Sequence, residues 1–117
     1  MAGGQRLICA SSALVDGGDG VRFEVAGRDG PQSAFVVRFR GVVRAYLNRC
    51  AHVPVELDWV PGRFFDLTGQ YLVCAVHGAH YDAASGRCAF GRCNGRGLQS
   101  LRVLERDGGV YLLDSGV

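Results

Sequence analysis

The sequence predicts a small all-β domain, and three observations predict it. About ten short segments are rich in β-branched and aromatic residues or alternate between apolar and charged, as strands do. Turn signals stand between them. The chain also holds 18 glycines and three prolines in 117 residues, a composition of many turns and few long helices. That length is one domain with a modest core, too short for two. A small all-β sandwich or barrel is the expected architecture.

Taken in order, Gln5 to Ser12 is the first candidate strand. The apolar run from Leu7 to Val15 follows Arg6 but is broken by Ser11 and Ser12. It ends in the turn chemistry of Asp16-Gly17-Gly18-Asp19-Gly20, so it reads as a strand and not as an export signal. Cys9 within it is expected as a small buried hydrophobe. Val21 to Val25 alternates apolar with charged residues and is a half-buried strand. Gly27 to Pro31 is a turn. Ser33 to Arg40 and Val42 to Asn48 are separated by little more than Gly41, which predicts a hairpin.

Val53 to Gln70 has no clean period and is punctuated by Pro61-Gly62 and Thr68-Gly69, so it is expected as an irregular insert. Tyr71 to Val73 reads as a strand, Ala79 to Asp82 as another, and Ala84 to Arg87 as a turn. Gly91 to Gly97 is a glycine-rich loop. Leu98 to Glu105 is a strand, Asp107-Gly108-Gly109 a hairpin turn, and Val110 to Leu113 the last strand.

The net charge of +2 does not point to nucleic acid or an anionic membrane surface. No run approaches a membrane span. No nucleophile–base pair or nucleotide-binding glycine motif is present, so bond chemistry by this chain alone is not expected. Five cysteines is an odd number and no export signal precedes them, so metal binding is favoured over a disulfide framework. A cytoplasmic location is expected.

Two pieces carry the chemistry. Cys50-Ala51-His52 ends one predicted strand, and Cys74-Ala75-Val76-His77-Gly78 ends another, with 21 residues between the motifs. Two thiolates and two imidazoles suit structural zinc or an iron–sulfur cluster of mixed ligation. Zinc knuckles usually pair two Cys in one turn and two His in another. Here each loop offers one of each, which suits a cluster with two inequivalent irons.

These motifs resemble the Rieske 2Fe–2S signature, Cys-x-His followed by Cys-x-x-His-Gly. The resemblance runs from about Val42 to the C-terminus and includes Tyr81-Asp82, Ser85-Gly86-Arg87 and the closing hairpin. It implies stacked small antiparallel sheets with a cluster-binding subdomain at one end. The base would be about 1–44 and 98–117, and the cluster-binding part about 45–97 of a single domain spanning 1–117. It implies that Cys50 and Cys74 hold the inner iron and His52 and His77 the outer one, through Nδ1. The implied function is one-electron transfer from a flavin reductase to an oxygenase or reductase. A tightly bound small subunit of an oxidoreductase, such as a nitrite-reductase-like enzyme, a zinc-stabilised interaction module, and the isolated N-terminal domain of an oxygenase are the alternatives.

The chain departs from the family pattern in three places. The gap between the motifs is longer than usual, so the insert enlarges the rim beside the cluster. Val55 and Val76 stand where respiratory Rieske proteins carry a disulfide. Gly91-Arg92-Cys93 replaces the usual Gly-Pro, so the third loop is expected to be looser. In high-potential members a Ser follows the His-Gly pair and a Tyr lies two further on. Ala79 and Tyr81 occupy those places after Gly78, so one hydrogen-bond donor is lost and one kept. The potential is expected in the lower half of a range of about −150 to +300 mV.

The remaining side chains have plainer readings. His80 is expected at the surface. Cys88 and Cys93 are expected as free thiols, with a local disulfide as the alternative. Trp59, Phe64 and Phe65 crowd the insert, and at least one is a candidate docking ring. Arg63 and Arg92 are expected as solvated charges.

Overall fold

The computed structural model describes residues 5–27, 30–51, 55–58, 60–75, 78–91 and 96–113. Its strands are β1 (Arg6–Ala10), β2 (Val21–Gly27), β3 (Gly30–Phe39), β4 (Val42–Leu47), β5 (Tyr71–Val73), β6 (His80–Asp82), β7 (Cys88–Phe90), β8 (Ser100–Leu101), β9 (Val103–Arg106) and β10 (Gly109–Leu112). They form three antiparallel sheets, ordered β1-β10-β9, β2-β3-β4-β8 and β5-β6-β7. The all-β architecture of stacked small sheets expected from the sequence is the one observed.

β3 is the middle of the stack. Ala34, Phe35, Val36 and Val37 are all fully buried, which a strand achieves only when both its faces are covered. Alternation sends Phe35, Val37 and Phe39 to one face, where they pack with Leu72, Cys74 and Tyr81 of the third sheet and its loops. Val36 goes to the other face and packs with Leu14, Val43 and Val110. Ala34 packs there with Leu47 and Leu112. The four-stranded sheet is thus a wall between the first sheet and the part that carries the two cysteine motifs.

The two hairpins follow from turn chemistry. Arg40 (φ 51°) and Gly41 (φ 81°) join Phe39 to its register partner Val42. Asp107 (φ 48°) and Gly108 (φ 77°) join Arg106 to Gly109 in the same way. Two consecutive residues of positive φ match the right-handed twist of the flanking strands.

Three expectations are corrected. The single strand expected from Leu98 to Glu105 is two, because the chain leaves the second sheet after Leu101 and enters the first at Val103. Arg102 sits at the crossing, its carbonyl accepting from Leu113 N–H at 2.9 Å. The first strand ends at Ala10, and Ser11–Ala13 form a 3₁₀ turn. Cys88–Phe90, to which the sequence assigns no element, form a strand that pairs with β6.

Candidate functional site

The first cysteine motif leaves β4 and the second leaves β5, so sequence-distant loops share one end of the stack. Cys50 N–H donates to Val55 O at 2.8 Å, which closes the first loop. Cys74 N–H donates to Ala79 O and Gly78 N–H to Cys74 O, at 2.9 and 2.8 Å, which closes the second. Gly78 has φ 72° with open space beside it, so backbone conformation is what demands glycine there. Ala75 N–H donates to Leu57 O at 3.1 Å and ties the second loop to the insert after the first.

Cys50 and Cys74 are both buried, and both belong to the core group that contains Leu57, Phe64, Leu72 and Ala79. His52 and His77, the other two expected ligands, lie outside the described residues, as do Trp59 and Cys93. Two buried thiols in adjoining loops are a donor set suited to a thiophilic metal centre.

Tyr81 of β6 links the two motifs. Its hydroxyl accepts from Ala51 N–H at 3.0 Å and lies 3.4 Å from Cys50 Sγ. An oxygen that is accepting the amide proton keeps its own proton for the sulfur. Burial pushes the phenol's pKa well up, and the hydrogen bond to Cys50 and the nearby Cys50 and Cys74 charges push it further. Tyr81 therefore stays protonated as a donor at any ordinary pH. Ala79, fully buried, offers only its methyl group.

A second anchor carries no local sequence signal. Asn48 and Asp58 are buried polar residues. Asp58 accepts from Asn48 Nδ2 and from Gly62 N–H, both at 2.9 Å, while Asn48 Oδ1 accepts from Leu57 N–H at 2.8 Å. Arg22 lies 3.5 Å from the Asp58 carboxylate. This network pins the long insert to the end of β4. On the other side, Tyr46 donates to Ala83 O at 2.7 Å and fixes the turn after β6. Burial raises its pKa to about 12.

Several side-chain expectations change. Phe64 is not a docking ring: it is fully buried and stacked on Phe35 at 3.9 Å, because the insert folds back over the middle sheet. Phe65 is half-buried against Phe39, 6.1 Å between ring centres, and its backbone bridges to Leu72. His80 is not a freely solvated ring. Its Nδ1 is 2.7 Å from Gly78 O, it stacks on Phe90 at 4.3 Å, and its Nε2 lies 3.7 Å from Asp66. Cys88 is disulfide-bonded and not the expected free thiol. The third loop, expected to be loose, comes in closely where it is described. A Cβ at Gly91 would meet Gly78 O at 2.8 Å and Ala79 Cα at 3.0 Å, so only glycine allows this approach.

Comparison with known proteins bears on the two-motif end directly. The sequence profile of the Rieske [2Fe-2S] domain matches residues 5–105. The chain belongs to the Rieske family. No curated protein sequence matches the chain. Among solved structures, this Rieske chain aligns with one from the complex of reduced oxygenase and oxidized ferredoxin in carbazole 1,9a-dioxygenase, with a TM-score of 0.74 and 23% identity. That alignment covers 97% of each chain. The ferredoxin of carbazole 1,9a-dioxygenase from Nocardioides aromaticivorans IC177 aligns with a TM-score of 0.72 and 20% identity over 94% of this chain and 97% of that one. The terminal oxygenase of carbazole 1,9a-dioxygenase from Novosphingobium sp. KA1 aligns with a TM-score of 0.75 and 22% identity. The match covers 97% of this chain but only 30% of the oxygenase. Among the first such matches, this chain spans 29% of an oxygenase chain. Identities this low show a shared fold. Among the described residues no helix is long and apolar enough to cross a membrane.

Proposed function

We propose that this Rieske domain is a one-electron carrier that holds a 2Fe–2S cluster through Cys50, Cys74, His52 and His77. Its partners would be a flavin reductase upstream and an oxygenase or reductase downstream. The observation that carries the reading is the pair of buried cysteines in the loops after β4 and β5, with the Tyr81 hydroxyl set beside Cys50. The cytoplasmic location expected from the sequence belongs to the same reading.

When bound, the cluster supplies reversible uptake of one electron, at a potential raised by two imidazoles in place of two thiolates. The protein does the rest. Leu57, Phe64, Leu72 and Ala79 pack in the same core group as the two sulfurs and keep water from them. Tyr81 holds its proton toward the Cys50 sulfur and thereby favours the more negative state. Ala79 adds no second donor, which keeps the potential low in the family's range.

Iron and sulfide analysis, with absorption and EPR spectra before and after dithionite, tests the proposal. Iron and labile sulfide in the 2Fe–2S ratio, and an EPR signal that appears on reduction, are expected. Cys50→Ser and Cys74→Ser should abolish both and loosen the two loops. A colourless protein with one zinc and no sulfide would overturn the reading in favour of a zinc-stabilised module.

A further inference from the structure

The chain has no lysine, so its 13 strongly basic side chains are all arginine. In the two larger sheets several of them are engaged. Arg38 grips Glu105 with two bonds of 2.9 and 2.6 Å, Arg22 holds Glu56 at 2.7 Å, and Arg106 bonds Gln5 at 2.6 Å. Beside the first ligand loop the pattern reverses. Arg49, Arg87 and Arg96 are exposed, and none makes a side-chain ion pair among the described residues.

Arg49 lines an open groove, and Arg87 and Arg96 flank Gly97 at its edge. Leu47, Arg49, Cys50, Ala51 and Gly97 line it. Leu47 N–H donates to Gln99 O at 2.9 Å, and Leu98 N–H donates to Gly86 O at 2.7 Å, so the segment after Arg96 is laid between the end of β4 and the 86–87 turn. A Cβ at Gly97 would stand 2.8 Å from Gly86 O and 3.3 Å from Arg87 Cα, which places Arg87 and Arg96 on adjoining backbone. Among the described residues, the nearby carboxylates are engaged elsewhere. Glu56 faces Arg22, Asp58 is inside its network, and Asp82 accepts from Ala84 and Ser85 N–H at 2.7 and 3.3 Å. The groove beside Cys50 is therefore a local positive field on a chain whose net charge is only +2.

We propose that Arg49, Arg87 and Arg96 form a docking rim for a carboxylate-bearing surface of the redox partner, seating it against Cys50 and Ala51. The proposal rests on the electron-carrier reading. Charge complementarity chooses the occupant. A guanidinium fork matches a carboxylate with two parallel bonds. The groove floor, with Leu47 and Ala51 among Gln32 and Gln99, has the mixed apolar and amide character of a protein interface. Nucleic acid would call for a basic surface spread over many phosphates, which a net charge of +2 does not supply. Such a rim acts chiefly on encounter rate and orientation.

Two measurements test it. The first is oxidation of the dithionite-reduced protein by ferricyanide and by tris(phenanthroline)cobalt(III) as ionic strength is raised. The anionic oxidant should slow with salt and the cationic one quicken, more steeply than a uniform charge of +2 would give. Arg49→Glu combined with Arg96→Glu should cut the ferricyanide rate roughly tenfold at low salt. Salt dependence no steeper than the net charge, or an unchanged double variant, would overturn the rim. The second is broadening of backbone amide signals by hexacyanochromate(III), which needs no electron transfer and so separates this proposal from the cluster assignment. Broadening centred on 49–51 and 96–97 and relieved by a hexaglutamate peptide is expected. Broadening centred elsewhere, or relieved by a short DNA duplex and not by the peptide, would overturn it.

Discussion

The two larger sheets and the part carrying the cysteine loops are held by different bonds. β2 and β3 share seven register pairs and β3 and β4 six, so the four-stranded sheet rests on continuous backbone ladders. The third sheet has strands of three residues, and its loops are held by side chains reaching in from outside: Tyr46, Asn48 with Asp58, and Tyr81. Arg22, Arg38 and Arg106 in the sheets are engaged, while among the described residues Arg49, Arg87 and Arg96 at the groove make no side-chain ion pair. A ladder tolerates side-chain change because its bonds belong to the backbone. A loop set pinned by single hydroxyls and one carboxylate does not.

Phe64→Ala should have the largest effect on this contrast. The ring is fully buried and stacked on Phe35, so its loss should cost about 3–5 kcal/mol. Hydrogen exchange should show faster opening of the insert and the two loops, with the β2–β3 ladder protected longest. Equal loss of protection in both regions would show that they unfold as one unit.

Asp58→Ala comes next. It strands the Asn48 amide and the Gly62 N–H inside the protein, at a cost of about 2–3 kcal/mol by denaturant titration. A variant as stable as the parent would mean that water replaces the carboxylate and that the insert is not pinned there.

Tyr81→Phe should act more on potential than on stability. Removing the donor to Cys50 should lower the midpoint by some tens of mV, because only the difference between the two redox states counts, against about 59 mV per 1.4 kcal/mol for one electron. Ala79→Ser, which restores a hydroxyl at a buried position, should raise it. Film voltammetry on the three proteins gives the order; equal midpoints would show that neither position influences the redox centre.

The smallest expected effect lies in the larger sheets. The Arg38 guanidinium, bonded to both carboxylate oxygens, holds Glu105 down at about 2 from its ordinary 4.5. A lowered folded pKa adds stability that is complete above about 4.5 and is lost as pH falls toward about 2. Glu105→Gln should therefore remove about 1 kcal/mol at neutral pH, the pair being partly exposed, and nothing near pH 2. Stability curves for the two proteins that stay parallel down to that pH would refute this linkage.

What was legible in the sequence follows the same divide. The hairpins at Arg40-Gly41 and Asp107-Gly108 are written in residues that accept positive φ, and the motif cysteines stand at strand ends where spacing put them. Alternation could not show that Ser100–Leu101 and Val103–Arg106 belong to different sheets, because each piece keeps its period while the chain changes layer at Arg102. Nor could it show that Phe64 is core, since the insert has no period to mark an inner face. Asn48 and Asp58 read as ordinary polar residues. Their burial depends on a contact between the end of one strand and a loop ten residues on, which no local pattern encodes.

β3 carries one more consequence. Its two buried faces are unequal, with Phe35, Val37 and Phe39 on one side and Ala34 and Val36 on the other. A slip of one residue against β2 or β4 would swap the faces, thrusting the phenylalanines into the space fitted to Ala34 and leaving a void beside Phe64. Both errors are penalised at once, so the strand serves as a gauge that rejects misaligned pairings while the chain folds. Deletions or insertions within 34–39 should accordingly be purged in a library selected for folding, while length changes at the exposed Leu67-Thr68 turn are tolerated.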